Sequence, residues 1–268
     1  MANWIETYRG AVPPWQCDVT EHFTVAYYFD RVEEARANLA DALGFADLAK
    51  RGDIVRQVNA RFARELRAGA SFHLESAALP SDNGLRIGHR VVDSADGEVC
   101  TWFDESWNVP APAGLPLGDW NGPDRETRDD PTDLRTVPTA RGRVKTADVD
   151  ANGHFSLGGI IHRFSNSSGQ FGCAIGFDGN YMHKNRRGFS TFELILVQTA
   201  ALPLDAPYLI ETGAASFGNS SLRMLHRMTD PRSGQEIARL SQYGVNLDLD
   251  ARRPAKWPEE IRARAAKL

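Results

Sequence analysis

The chain has 268 residues, of which 42% are hydrophobic and 25% charged, with a formal net charge of −4 at pH 7. That balance is ordinary for a water-soluble globular protein and argues against a dedicated nucleic-acid binder, which carries a basic face. No run approaches the roughly 18 apolar residues of a membrane-spanning helix, and the start, Met1-Ala-Asn-Trp-Ile-Glu-Thr7, lacks the basic-then-apolar order of a secretory signal.

Residues 8–17 form a short strand candidate that ends at Pro13-Pro14-Trp15. Thr24 then stands where a helix N-cap is expected, its hydroxyl able to accept from a free amide of the first turn. Val25, Phe29, Val32, Leu39 and Leu43 recur at near-helical spacing, and Gly44 is a suitable left-handed stop. The pattern then turns to strands at Val58–Leu66, Ser71–Ala78, Leu85–Asp93 and Val99–Val109. Turn signals at Asp82-Asn-Gly84 and Ser94-Ala-Asp-Gly97 separate them. Residues 110–138 hold Pro110, Pro112, Pro116, Pro123, Pro131 and Pro138, too many for a central strand or helix. A second helix is expected over Leu157–Ile175. Its Gly158, Gly159, Ser165, Asn166, Ser167, Ser168 and Gly169 are poor helix formers, so burial must hold it. The tail from Pro258 to Lys267 reads as a short exposed helix.

Two loops dominate this map. Asp18-Val-Thr-Glu-His22-Phe-Thr24 and Asp150-Ala-Asn-Gly-His154-Phe-Ser156 lie 132 residues apart. The same offset aligns ten identities over residues 9–45, among them Arg9, Gly10, Arg31, Gly44 and Phe45. Chance would give only about two at ordinary residue usage, so the chain is a duplication. Later, Leu85-Arg86…His89-Arg90 matches Leu222-Arg223…His226-Arg227 at an offset of 137, which marks a five-residue insertion in the second copy. The division expected is 1–109 for copy one, 110–138 as linker and 139–268 for copy two. One helix followed by an antiparallel meander, twice, is an α+β pattern. Cys17, Cys100 and Cys173 are odd in number, widely spaced and without zinc-ligand spacing, as reduced thiols of a cytoplasmic protein would be. Cys17, beside Asp18, reads as filler rather than nucleophile.

These stretches resemble the hotdog-fold acyl-CoA thioesterases of the 4-hydroxybenzoyl-CoA thioesterase-like family. Pro14-Trp-Gln-Cys-Asp18, His22 and Val25-Ala-Tyr-Tyr28 resemble the strand-to-helix junction, and Phe62-Ala-Arg-Glu65-Leu-Arg-Ala-Gly69 the second-strand motif. Asp148-Val-Asp150-Ala-Asn152-Gly-His154 is similar to the same junction and matches the Asp/Asn/His set of acyl-carrier-protein (ACP) thioesterases. The resemblance implies a tandem double hotdog, each unit a long helix wrapped by a curved antiparallel sheet, with the pantetheine arm entering between the units. Neither copy has the full set. Copy one has Glu21 for the usual Gly, and Thr20 and Thr24 for usual Asn residues. Copy two has Ser156 for Asn, and Gln198-Thr-Ala-Ala-Leu202 where a Glu is expected.

The candidate catalytic residues are Asp18, His22 and Glu65 in copy one and Asp150, Asn152 and His154 in copy two. A carboxylate can serve as base or nucleophile. Backbone amides at Thr24-Val25 and Ser156-Leu157, at the positive ends of the helices, can hold the oxyanion. The competing reading gives these residues structure alone: Asp and His fixing their loops, Glu65 paired with Arg61 or Arg67 on a strand, and Arg86 and Arg223 as solvated strand charges rather than phosphate ligands. The resemblance implies hydrolysis of an acyl-CoA or acyl-ACP, with no metal, no cofactor beyond the carrier, no nucleic acid and no membrane. Homo-oligomers of the double unit are left open. The alternatives are a hydratase or dehydratase of the same fold, whose Asp-x-Asn-Pro-x-His loop is absent, and a non-catalytic acyl-thioester binder.

Overall fold

The computed structural model describes residues 3–18, 21–51 and 56–268; Thr20 lies outside them. Copy one runs β1 (Ile5–Ala11), a 3-10 turn (Pro14–Gln16), α1 (Val25–Leu43), α2 (Ala46–Ala49), β2 (Arg56–Phe62), β3 (Ser71–Leu79), β4 (Leu85–Asp93) and β5 (Val99–Trp107). Copy two repeats the order: β6 (Val137–Arg143), a 3-10 turn (Thr146–Asp148), α3 (Leu157–Ile175), α4 (Gly179–Asn185), β7 (Arg187–Gln198), β8 (Pro207–Phe217), β9 (Ser221–Thr229) and β10 (Glu236–Asp248). A two-residue strand, β11 (Arg253–Pro254), pairs with β10, and α5 (Glu259–Ala265) follows.

The strands form one sheet in the order β1-β3-β4-β5-β2-β7-β10-β9-β8-β6, and the β2–β7 seam joins the copies. That seam is antiparallel, from Arg56 opposite Gln198 to Arg61 opposite Glu193. Strand order is therefore mirrored about it, and α1 and α3 pack against each other on the same sheet. Both helices have the expected bounds. α1 buries Phe29, Val32 and Leu39 and stops at Gly44, whose φ of 78° only glycine adopts without strain. α3 is helical despite its glycines because Ile160, Ile161, Phe164, Phe171 and Ile175 are buried.

Four expectations change. The first strand lies earlier, at Ile5–Ala11, and the prolines open a 3-10 turn instead. β2 ends at Phe62 because the amides of Ala63 and Arg64 both turn onto the Cys100 carbonyl, 2.9 and 3.0 Å away. Glu65 is therefore beyond the strand. The tail helix is not simply exposed: Ile261 is buried in a cluster with Phe177 and Trp257. Finally, Arg86 holds Asp104 at 2.9 Å, and buried Arg223 pairs with Asp130, so neither is a solvated charge.

The segment between β5 and β6 is pinned to the sheet. Arg125 bonds Asp104 at 2.5 and 2.6 Å, Trp120 packs on Trp102, and Arg128 pairs with Glu193 at the seam. Pro138 falls within β6, on the sheet's edge and at a register shift, where its missing N–H is tolerated.

Candidate functional site

Each copy turns into its helix through its Asp-x-x-x-His loop, closed by matching bonds. The Asp18 amide donates to the His22 carbonyl at 2.9 Å, and the His22 amide to Asp18 Oδ1 at 3.2 Å. In copy two the distances are 2.7 and 3.0 Å, and the Asn152 amide adds a bond to Asp150 Oδ1 at 2.8 Å. Both carboxylates thus accept loop amides at Oδ1. The turn requires a left-handed residue before the histidine. Gly153 supplies it at φ 75°, whereas Glu21 sits at φ 65°. A side chain there costs on the order of 1–2 kcal/mol. Glu21→Gly is therefore expected to raise stability by about 1 kcal/mol, read as a higher melting temperature. A lower one would mean the Glu21 side chain makes a compensating contact.

Tertiary packing brings Glu65 to His22, with Glu65 Oε2 2.9 Å from His22 Nε2. Glu65 also meets Arg252, at 3.3 Å, from the turn between β10 and β11. Copy two lacks this pairing. The bridge between His22 and Arg67 corresponds to that between His154 and Pro203, which puts Ala201 at the position of Glu65. Thr24 precedes α1 with extended backbone, but its hydroxyl makes no capping bond, contrary to expectation. Ser156 does cap α3, accepting from the Gly159 amide at 2.9 Å.

The surroundings of the two loops differ sharply. Asp18, His22, Thr24, Val25 and Glu65 line a cavity of about 990 Å³, at the upper end of the range of small-molecule sites. It lies where β7 runs past its last pair with β2, so that Ser190–Phe192 face the Phe62–Glu65 turn. Its far wall is the second half of α3, including Ser165 and Ser168. Around Asp150, Asn152, His154 and Leu157 the space is about 20 Å³. Each loop faces the other copy's helix, and the two helices differ. At Ser165 and Ser168, α1 has Glu33 and Arg36, which line this small space.

Glu33 also occupies the second site chemically. Burial pushes its carboxyl above the usual range; Arg36 opposes that shift, Asp150 adds to it, and the nearby Leu157 amide opposes it. An amide expected to hold an oxyanion thus already faces an internal acid. Arg36 in turn bonds Glu105 at 2.9 Å. The sequence reading missed Ser165, Ser168, Gln242 and Arg252 as site residues. A signal for the first two was present in the small residues of the second helix, set against Glu33 and Arg36 at the repeat offset.

A family model described as the thioesterase-like superfamily matches residues 12–106 and 144–265. An acyl-ACP thioesterase from Bacteroides thetaiotaomicron is similar in structure, with a TM-score of 0.63 and 13% identity over 88% of this chain and 96% of its own. The 12:0-ACP thioesterase from Umbellularia californica is similar with a TM-score of 0.59 and 15% identity, over 89% of this chain and 92% of its own. At these identities the likeness is one of fold, and the fold is the α+β double hotdog expected. No curated protein matches the chain. Among the described residues, no helix is long and apolar enough to cross a membrane.

Proposed function

This chain belongs to the thioesterase-like superfamily, and from that premise we propose that it hydrolyses an acyl thioester, carried by coenzyme A or ACP, at a single site in copy one. The observation that supports this reading is the cavity of about 990 Å³ against Asp18, His22 and Val25, beside about 20 Å³ at Asp150. Hydrolysis adds water to the thioester carbonyl and breaks the C–S bond, with the thiol leaving protonated. Asp18 serves as base for that water, or as nucleophile. The first amides of α1, at Val25, take the developing oxyanion, helped by the positive end of the helix. His22, held by Glu65, polarises the carbonyl or protonates the leaving thiolate. The reaction needs no group beyond these and the carrier of the substrate. The site containing Asp150, Asn152 and His154 serves as structure.

The test is release of free thiol from a panel of acyl-CoA and acyl-ACP substrates. The expected result is stoichiometric thiol and free acid. Binding without thiol release would overturn hydrolysis in favour of a binding protein. Loss of enoyl absorbance without thiol release would point to a hydratase instead.

A further inference from the structure

The cavity beside Asp18 does not end in copy one. It continues along the second half of α3, past Ser165, Ser168 and Gly172 to Ile175, where Phe177, Met224 and Trp257 also line it. Those last residues belong to the apolar core of copy two, where Trp257 is 1% exposed and ringed by Phe177 at 4.9 Å and Phe217 at 5.6 Å. Three of the polar groups along the way bond one another, while His183, Arg186 and Arg187 also line the cavity. Ser168 Oγ lies 3.0 Å from the Phe164 carbonyl and 2.5 Å from Gln242 Oε1, and Gln242 Nε2 donates to Thr191 Oγ1 at 2.8 Å. An apolar chain can therefore pass these three without stranding a donor; at the far end the buried indole Nε1 of Trp257 has no hydrogen-bond partner among the described residues.

Ser165 to Ile175 spans about 15 Å at the rise of an α-helix. An extended alkyl chain advances roughly 1.25 Å per bond, given 1.52 Å bonds at near-tetrahedral angles. We infer that copy two holds the acyl arm of the substrate, that this arm is an aliphatic chain of about ten to fourteen carbons, and that Ser168 sets the width of its entrance while Trp257 closes its end. A short or compact aromatic acyl group would leave the far half of the cavity wet. Each methylene buried there is worth roughly fourfold in transition-state binding. Copy one provides an internal contrast, since the large Glu33 and Arg36 at the equivalent positions coincide with a space of about 20 Å³.

The inference rests on the hydrolysis reading for its substrate, so its test has one arm that needs no turnover. In the first arm, kcat/KM is measured with acetyl-, hexanoyl-, dodecanoyl- and octadecanoyl-CoA for the wild type and Ser168→Phe. Dodecanoyl-CoA is expected to be best, and the ratio of dodecanoyl to acetyl activity should fall at least about tenfold in the variant, the worth of roughly two methylenes. In the second arm, ω-bromododecanoate is added to the wild type and to Trp257→Phe, and tryptophan emission is followed. Quenching present in the wild type and lost in Trp257→Phe places the chain end at Trp257. Hydrolysis with no chain-length preference, and no quenching assignable to Trp257, would overturn the acyl arm and leave the hydrolase reading standing. Quenching at Trp257 with no hydrolysis of any substrate would do the reverse. If Ser168→Phe misfolds, the wild-type profile and the quenching decide alone.

Discussion

Asp18→Asn is expected to lower acyl-thioester turnover by about 10²–10⁴-fold, the usual worth of a general base, while Asp150→Asn stays near the wild-type rate. The change keeps the shape of the side chain and an oxygen for the His22 amide, which now bonds Asp18 Oδ1 at 3.2 Å. It removes the negative charge that would take a proton from water or attack the carbonyl. Asp150 is the useful control because its loop bonds are nearly the same, with the His154 amide 3.0 Å from Oδ1. Any loss arising from a loosened loop should therefore appear in both variants. Turnover is measured on protein whose melting curve confirms folding. Equal losses in the two variants would mean that the shared loop role matters. Loss in Asp150→Asn alone would move the site to copy two, where Glu33 and Arg36 would have to swing away. His22→Ala and Glu65→Gln should act in the same direction as Asp18→Asn, since Glu65 lies 2.9 Å from His22.

The largest effect on stability is expected at Glu105. Its side chain is fully buried, with Oε1 accepting from Arg36 at 2.9 Å and from the indole of Trp107 at 2.7 Å. His89, itself bonded to Ser76 at 2.6 Å, lies 3.6 Å from the other oxygen, and Arg56 stacks on Trp107. Burial alone would raise the carboxyl, but Arg36, His89 and Arg56 outweigh it and bring it to about 2. Glu105→Gln leaves the buried Arg36 with Glu33, 3.3 Å away, as its remaining ion-pair partner among the described residues. Breaking a buried ion pair in this way costs about 3–5 kcal/mol, or roughly 6–20 °C in melting temperature for a chain of this size. Urea unfolding at neutral pH measures it. Unchanged stability would mean that Glu33 takes over as counter-ion.

The same groups set an acid limb. A carboxylate whose folded value is depressed contributes stability that is complete above its unfolded value and is lost as pH falls toward the folded one. For Glu105 that window runs from 4.5 down to about 2. His226 works in the same direction higher up. Burial lowers it from 6.5 to about 4, so below pH 6.5 the unfolded chain gains a proton that the folded chain refuses. Stability should therefore begin to fall near pH 6.5 and fall further below 4.5, with the lower part of the limb flattened in Glu105→Gln. Copy two has Gln242 where copy one has Glu105, and Ser168 where it has Arg36. The buried charge pair of copy one thus faces the closed space at the Asp150 loop, and the neutral pair of copy two faces the open cavity at the Asp18 loop.

The duplication, both long helices to the residue and the α+β class were legible in the order of the residues. Those are local properties: apolar spacing fixes which face of Val25–Leu43 and Leu157–Ile175 is buried, and Gly44 and Gly176 stop both helices in the left-handed region. The matched His89 and His226 were also legible, and each is buried with its Nδ1 on a hydroxyl of a neighbouring strand. Which loop has room beside it depends on long-range packing. The β2–β7 seam crosses the copies, so the Asp18 loop meets α3, whose Ser165 and Ser168 lie some 150 residues away in sequence, and the Asp150 loop meets α1. A short window of sequence carries the period of its own element but not the identity of the element packed against it. For that reason Asp150, Asn152 and His154, the better local motif, face a filled space. Asp18, with the poorer motif, faces the cavity, because strand order set the small side chains of copy two opposite the carboxylate of copy one.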